Sequence, residues 1–270
     1  MKLIDTHSHI YEPEFDVDRE QTVERALAAG VATMLLPAID PAGNDRMFDL
    51  VRRHPQSCLP MIGLHPTSVN GNPRWREDLN ETECLLRQPP EGIRFVGIGE
   101  IGLDFYWSEE FRAEQTEAFR RQCRWAVESG LPVAIHTRNA YAEMMEIMEE
   151  FRGSGLRGVF HAFSEDAETY RRLRSCGDFV FGIGGVVTYK KAQIARTVCE
   201  IPLDDIVLET DCPYLTPVPF RGSRNESSYV VYVCRRIAEL KGVSEEEVAA
   251  VTTRNAERMF PIVQSRFPVL

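Results

Sequence analysis

The chain has 270 residues, 43% of them hydrophobic and 27% charged, and a formal net charge of −10 at pH 7. This balance is that of an ordinary globular protein, long enough for one large α/β domain or two small ones. The negative charge argues against non-specific tracking along duplex DNA, although a local anion site built on metal ions remains compatible with it.

Targeting and redox signals are weak in this chain. No apolar stretch approaches the ~18 residues of a membrane span, and the N-terminus lacks the pattern of a signal peptide. The seven cysteines are an odd number, scattered, and never in a C-x-x-C pair. We therefore expect a cytoplasmic protein with buried, reduced thiols.

Eight short runs rich in Val, Ile, Leu and Phe predict strands that are covered on both faces. In chain order they are residues 3–9, 31–38, 59–65, 95–104, 132–138, 158–164, 179–185 and 206–212. Helical apolar spacing separates many of them, at residues 111–130, 139–151, 166–176 and 190–200, and closes the chain at 228–240 and 244–260. Gly130 suits a helix C-terminus, and Ser244 with Glu247 suits an N-cap.

Strands alternating with helices, without a composition break, predict a single (β/α)8 TIM barrel domain over residues 1–270. An open doubly wound sheet shares this alternation. No Gly-x-Gly-x-x-Gly turn follows the first strand, which weakens that alternative.

Metal-binding side chains recur where the predicted strands end. They are His7, His9, Glu100, His136, His161 and Asp211. Each alone has an ordinary structural explanation, as a hydrogen-bonded core histidine, a helix cap or a solvated loop charge. Their shared position at the carboxyl ends of five strands instead predicts one site, because these ends meet at the same rim of a barrel.

Alternate residues of a strand share a face, so His7 and His9 are predicted to point into the barrel with Asp5 one step deeper on the same side. Six ligands exceed what one tetrahedral ion needs. The economical solution is two divalent ions that share the carboxylate of Glu100, an arrangement suited to phosphoryl transfer. Magnesium, manganese and zinc all remain open as the metal.

With these motifs in place, the chain resembles the TatD family of metal-dependent deoxyribonucleases over nearly its whole length. The motifs that carry the resemblance are DTHSH at 5–9, GLHP at 63–66, GEIGLD at 99–104, HTR at 136–138 and ETDCP at 209–213. Weaker signatures are GIGG at 182–185 with Thr188, and PFRG at 219–222 with Asn225.

The resemblance implies a deoxyribonuclease, acting as an exonuclease on single-stranded DNA, with no membrane and no obligatory protein partner. It implies that one ion is held by His7, His9, Glu100 and Asp211, and the other by Glu100, His136 and His161. Asp211 is predicted to orient the attacking water and take its proton. With Asp211 and Glu100, His65 completes the predicted catalytic set, contacting the phosphate or the leaving oxygen unless it is only a turn residue before Pro66.

Substrate binding is predicted at the mouth of the barrel. Tyr106 and Trp107, with Phe105, could stack on bases or pack onto neighbouring helices. Arg138 could steady the phosphate or pair with Glu209. The cations Arg221, Arg224, Lys190 and Lys191 are predicted to meet the phosphate backbone, and Asn225 completes the substrate-binding set. Asp5, Asp104 and Glu209 are expected to orient ligands through hydrogen bonds.

Two other enzyme classes use the same barrel: an amidohydrolase acting on a small amide or lactone, and a hydrolase of aminoacyl-tRNA esters. Amidohydrolases often bridge their ions with a carboxylated lysine. No lysine lies between residues 59 and 160, which disfavours that chemistry. A non-catalytic metal-binding scaffold is the remaining alternative.

Overall fold

The structure, a computed structural model, describes residues 1–262. In this range eight parallel strands form one sheet in chain order. They are β1 (Leu3–Asp5), β2 (Val31–Leu36), β3 (Cys58–Ile62), β4 (Gly97–Asp104), β5 (Val133–Arg138), β6 (Arg157–Phe160), β7 (Asp178–Ile183) and β8 (Ile206–Leu208).

The α-helices of the described range cover the outside of this sheet. They are α1 (Arg19–Ala28), α2 (Pro41–Arg53), α3 (Trp75–Arg87), α4 (Arg112–Ser129), α5 (Tyr141–Glu150), α6 (Ala167–Ser175), α7 (Ile194–Glu200), α8 (Val230–Lys241) and α9 (Glu245–Met259). Two predicted helix ends are confirmed. Gly130 ends α4 in the left-handed conformation, with φ 67°, and the Ser244 side chain accepts a hydrogen bond from the Glu247 N–H at 3.1 Å.

The sheet closes on itself, which confirms the predicted (β/α)8 barrel. The Thr6 N–H donates to the Leu208 carbonyl at 2.9 Å, and the Asp211 N–H donates to the His7 carbonyl at 2.9 Å. Both bonds join the first and last strands or the segments that follow them. The last eight residues of the predicted domain, 263–270, lie outside the described residues.

Two apolar layers stabilise the barrel. The larger lies between strands and helices. The smaller fills the interior with residues from the strands or beside them: Ile4, Leu35, Leu59, Met61, Val96, Ala134, Val159, Val180 and Val207. Helix α9 closes the amino end, since its Asn255 side chain donates to the Ile206 carbonyl at 2.7 Å and its Thr253 hydroxyl to the Lys2 carbonyl at 3.1 Å. The carboxyl end is left open for a site.

Several strands are shorter than predicted, because the polar segments at their carboxyl ends leave the sheet. Strand β1 ends at Asp5, and the chain bends at Thr6. The prediction that Asp5 lies on the same side of a strand as His7 and His9 is therefore wrong. Ile4 belongs to the interior layer and Leu3 to the outer one, so alternation directs Asp5 outward with Leu3. The bend brings the two histidines to the centre.

The cysteines are free thiols, as expected, and Cys84 and Cys199 are exposed. The expectation of burial is wrong for these two, which lie on helices α3 and α7. Among residues 1–262, no helix has both the length and the apolar character required to cross a bilayer.

Candidate metal centre

The structure brings all six predicted metal-binding side chains together at the open end of the barrel. A cavity of about 660 Å³ lies there. It is lined by His9, His65, Glu100, His136, His161 and Asp211, among others. His7 is buried beside them, with its Nε2 atom 3.1 Å from Glu100 Oε2. Five strands therefore deliver their donors to one cluster.

Four of these side chains form a compact cage of donor atoms. His7 Nε2 lies 3.1 Å from both His9 Nε2 and Glu100 Oε2. His9 Nε2 lies 3.3 Å from Glu100 Oε2 and 3.6 Å from Asp211 Oδ1. His7 Nε2 lies 3.8 Å from Asp211 Oδ1.

These edges have the size expected around a divalent ion. Metal–ligand bonds of about 2.1 Å at tetrahedral angles separate neighbouring donor atoms by about 3.4 Å. Two imidazole nitrogens and two carboxylate oxygens at 3.1–3.8 Å match that spacing. Such a donor set suits zinc and also accepts manganese, so the residues present fit a bound cation.

A second group of donors surrounds the other oxygen of Glu100. Its Oε1 atom lies 2.9 Å from His136 Nδ1, 3.7 Å from His161 Nε2 and 3.4 Å from His65 Nε2. His161 Nε2 also lies 3.7 Å from Asp211 Oδ1. Glu100 thus directs one oxygen to each group, which is the geometry that a bridging carboxylate requires.

An irregularity in β4 explains how Glu100 reaches the centre. The register with β5 shifts between Ile98 and Ile101, and both of these side chains belong to the outer apolar layer. Gly99 permits the close packing, since a Cβ there would lie 2.7 Å from the Cβ of Ala134. The bulge turns Glu100 inward without moving its apolar neighbours out of the core.

Hydrogen bonds hold Asp211 in a conformation that is rare for a non-glycine residue. Its φ is 58°, in the left-handed region that costs L-residues free energy. The buried Asp5 carboxylate accepts bonds from the Thr210 N–H at 2.9 Å and the Thr210 hydroxyl at 2.6 Å. Asn225 Nδ2 donates to the Thr210 carbonyl at 2.8 Å and to the Tyr214 carbonyl at 2.6 Å. The loop that carries Asp211 is therefore fixed from both sides.

Three histidines have one ring nitrogen near an acceptor, which leaves the other free to bind an ion. His136 Nε2 lies 2.9 Å from Asp104 Oδ2, and His161 Nδ1 lies 3.0 Å from Glu209 Oε1. His9 Nδ1 lies 3.3 Å from the Tyr11 hydroxyl. That hydroxyl donates to the Pro37 carbonyl at 2.7 Å, so its lone pair is available to the His9 N–H.

Glu209 is fully buried beside Gly182. Its Oε1 also accepts the Ala162 N–H at 2.6 Å. A Cβ at position 182 would lie 2.0 Å from Glu209 Oε2, so only glycine leaves room for this carboxylate. The alternative that Arg138 pairs with Glu209 is not realised, since Glu209 Oε1 faces His161 Nδ1 at 3.0 Å and accepts the Ala162 N–H.

The charges of the cluster balance one another. Burial acts to raise the pKa values of Glu100 and Asp211, but the surrounding imidazoles hold both below their usual values. Burial and the charge of His161 lower the pKa of His7 to about 4. Burial also disfavours charged His9 and His161, but the nearby carboxylates raise their pKa values to about 9 and about 10. A divalent cation could replace the protons on these two rings.

The aromatic residues after β4 divide between packing and exposure. Phe105 is buried in the outer layer. Tyr106 and Trp107 are 52% and 68% exposed, with their ring centroids 4.9 Å apart. The Arg138 guanidinium lies 3.6 Å from the centroid of Tyr106, and Arg138 and Trp107 line the cavity.

Two other predictions about the mouth need correction. Asn225 cannot contact a substrate directly, because it is fully buried and bonded to the backbone of the Asp211 loop. Arg224 is held by both oxygens of Asp18, at 2.7 and 2.8 Å, which ties the segment after β8 to the one after β1. Arg221 is exposed and lies 4.4 Å over the ring of Tyr189.

Some residues of the centre carried no signal in the sequence. Tyr11 supports His9, Thr67 contacts His65, and Tyr214 lines the cavity while remaining 50% exposed. Each lies two or three residues after a predicted site residue. An inspection of the neighbours of every candidate ligand would have found them, although not their partners.

Comparison with known proteins places this centre in context. The profile of a family described as TatD-related DNase matches residues 4–261. An uncharacterized metal-dependent hydrolase, YabD of Bacillus subtilis, is 38% identical over 261 residues, which cover 96% of this chain and 99% of that protein. A protein of Erwinia tasmaniensis named 3′-5′ ssDNA/RNA exonuclease TatD is 31% identical, covering 96% of this chain and 99% of its own length.

The same relationship is visible in solved structures. The crystal structure of YJJV, a TatD homologue from Escherichia coli K12, superposes with a TM-score of 0.87 at 26% identity. It covers 96% of this chain, and 98% of that structure is matched. The likeness therefore extends over nearly the whole of both chains.

Proposed function

The chain belongs to the family of TatD-related DNases, metal-dependent hydrolases that act on ester bonds, and we propose that it is a two-metal exonuclease that shortens single-stranded DNA from its 3′ end. The observation that carries the proposal is Glu100, whose two oxygens face two separate groups of donors. The direction of attack follows the name of the Erwinia relative, which is a 3′-5′ exonuclease.

Two groups of residues would hold the ions. His7, His9, Asp211 and one oxygen of Glu100 would hold the first, and His136, His161 and the other oxygen the second. Bound divalent ions activate water and neutralise charge on a phosphodiester. Side chains of this protein would take up the proton and bind the substrate.

Asp211 would take the proton of the attacking water. Its side chain lines the cavity and is 14% exposed, and the surrounding imidazoles keep its pKa below the usual value. It is therefore ionised at neutral pH and able to accept a proton. The fixed loop around it would hold the carboxylate oxygen beside the attacking water.

His65 and the mouth would bind the substrate. The Nε2 atom of His65 points at the centre, from where it would reach an oxygen of the phosphodiester. Arg138 would contact the phosphate, while Tyr106 and Trp107 would stack on unpaired bases, each stack stabilising the complex by ~1–3 kcal/mol. A cavity of about 660 Å³ has the size of a small-molecule site, which favours an unpaired strand end over a duplex.

The cations of the mouth are few. Arg221, Lys190 and Lys191 are exposed on the segments after β8 and β7, where they would meet the phosphate backbone beyond the cavity. Because these few side chains would neutralise only a few phosphates, DNA binding should depend only weakly on salt concentration. A steep salt dependence would contradict a small site centred on the metal ions.

The test is a digestion of single-stranded DNA labelled at either end. With Mg²⁺, Mn²⁺ or Zn²⁺ added, a 5′-labelled strand should give a ladder of shortening products, and a 3′-labelled strand should release labelled mononucleotide first. The isosteric Asp211→Asn variant should still bind DNA but lose most turnover. Cleavage that survives thorough chelation would refute the proposal. So would turnover of a dihydropyrimidine or an aminoacyl ester without any turnover of DNA.

A further inference from the structure

His65 differs from the other histidines of the centre in the partners of its ring. Its Nδ1 atom lies 3.1 Å from the backbone N–H of Thr67 and 2.7 Å from the Thr67 hydroxyl. A backbone N–H can only donate, so His65 Nδ1 must accept. In the neutral ring the proton therefore lies on Nε2.

The local sequence builds this arrangement. Pro66 begins the short 3-10 helix Pro66–Ser68, and His65 is its N-cap. Proline has no N–H, so the N–H of Thr67 is the first free donor of the turn. The side chain of His65 caps it, as Asn or Asp would elsewhere.

The free end of the ring points at the centre. His65 Nε2 lies 3.4 Å from Glu100 Oε1, and the side chain is 12% exposed. His9, His136 and His161 have the opposite arrangement, with an acceptor at the outer nitrogen and the inner one facing the centre. A ring nitrogen that carries a proton has no lone pair for an ion.

We infer that Thr67 is a positioning residue that holds His65 in the Nε2–H form, so that His65 donates a hydrogen bond to the substrate phosphate and is not a metal ligand. This distinction is needed, because His65, Glu100 and His136 otherwise lie close enough to hold an ion together. The choice of phosphate as the acceptor rests on the proposed function, whereas the position of the proton does not.

The position of the proton can be measured by long-range ¹⁵N–¹H correlation spectra of the histidine rings. The chain has 6 histidines, and the His65→Gln variant identifies the signals of residue 65. We expect the His65 proton on Nε2 in both the metal-free and the Zn²⁺-loaded protein. A proton on Nδ1, or a direct shift of Nε2 on Zn²⁺ binding that marks coordination, would overturn the inference.

Metal counting gives an independent test. His65→Gln and His65→Ala should each retain as many Zn²⁺ ions per chain as the wild type, while kcat on single-stranded DNA falls further in His65→Ala. The side-chain amide introduced by His65→Gln reaches the place of Nε2 and can still donate. Loss of one ion from both variants would make His65 a ligand and overturn the inference.

The role of Thr67 is tested by a matched pair of substitutions. Thr67→Val removes one of two donors and should lower kcat about two- to tenfold without changing the metal count. Thr67→Ser should restore kcat. An unchanged kcat in Thr67→Val would overturn the assignment of Thr67. If the wild type fails to cleave DNA, the proposed function falls, but the spectra and metal counts still decide where the proton lies.

Discussion

Asp104→Asn is expected to weaken the proposed second metal site, although the side chain differs only in one oxygen replaced by an NH₂ group. Asp104 Oδ1 accepts the Tyr106 N–H at 3.0 Å, and Oδ2 faces His136 Nε2 at 2.9 Å. In the variant, the amide oxygen must stay with the backbone donor, so the NH₂ group faces His136. His136 Nε2 must then accept, and the ring proton moves to Nδ1, which is the atom directed at Glu100.

The size of the effect follows from the least costly rearrangement that keeps the His136 proton on Nε2. The amide group of the variant can rotate so that its oxygen faces His136 instead. The Tyr106 N–H then faces the NH₂ group and loses its acceptor. Leaving this partly buried donor unsatisfied costs up to about 1–3 kcal/mol, which is about 5- to 150-fold in affinity for the second ion. This range agrees with the effect expected for residues that orient metal ligands, about 10- to 100-fold.

Calorimetric titration of the metal-free protein with Zn²⁺ or Mn²⁺ would measure this loss, with Asp104→Ala as the matched control. Alanine leaves space for water to accept the His136 N–H, so the proton stays on Nε2 and Nδ1 remains free to bind the ion. We expect Asp104→Asn to weaken the second ion more than Asp104→Ala, although asparagine is the more conservative replacement. Equal binding by wild type and Asp104→Asn, or weaker binding by Asp104→Ala, would refute the reasoning.

Three further predictions concern other parts of the fold. Tyr11→Phe removes the acceptor of the His9 ring and should weaken the first ion about tenfold while sparing the second; equal weakening of both ions in a titration would contradict this. Gly182→Ala places a Cβ 2.0 Å from Glu209 Oε2, so it should lower the free energy of unfolding, measured in denaturant melts, by about 1–3 kcal/mol. The control Gly184→Ala places its Cβ no closer than 3.7 Å to any atom beyond the adjacent residues and should leave the stability unchanged. Arg224 holds the pKa of Asp18 below its usual value, so Asp18→Asn should lower stability by less than about 1 kcal/mol at pH 7. That difference should be complete above about pH 4 and vanish as the pH falls further, and a difference that persists at low pH would exclude this ion pair as its cause.

The positions of the metal-binding candidates could be predicted because one rule governs them. The carboxyl ends of parallel strands meet at one rim, so His7, Glu100 and Asp211 had to converge if the strands were correctly identified. The apolar runs identified those strands without knowledge of their partners. The same reasoning could not locate the bulge at Ile98–Ile101, because it depends on packing against β5.

What the sequence could not reveal depends on contacts between distant residues. Arg224 looked like a phosphate-binding cation, but its partner Asp18 lies 206 positions away. Asn225 looked like a substrate contact, but it bonds to carbonyl groups of a folded loop. The protonated nitrogen of each histidine is likewise set by neighbours such as Glu209 and Tyr11, which only the folded chain brings within reach.

Anomalous diffraction from crystals of the Zn²⁺- or Mn²⁺-loaded protein tests most directly whether Glu100 bridges two cations. The account predicts two peaks on either side of this carboxylate, one beside His7 and His9 and the other beside His136 and His161. A single peak, or two peaks of which one does not touch Glu100, would contradict it.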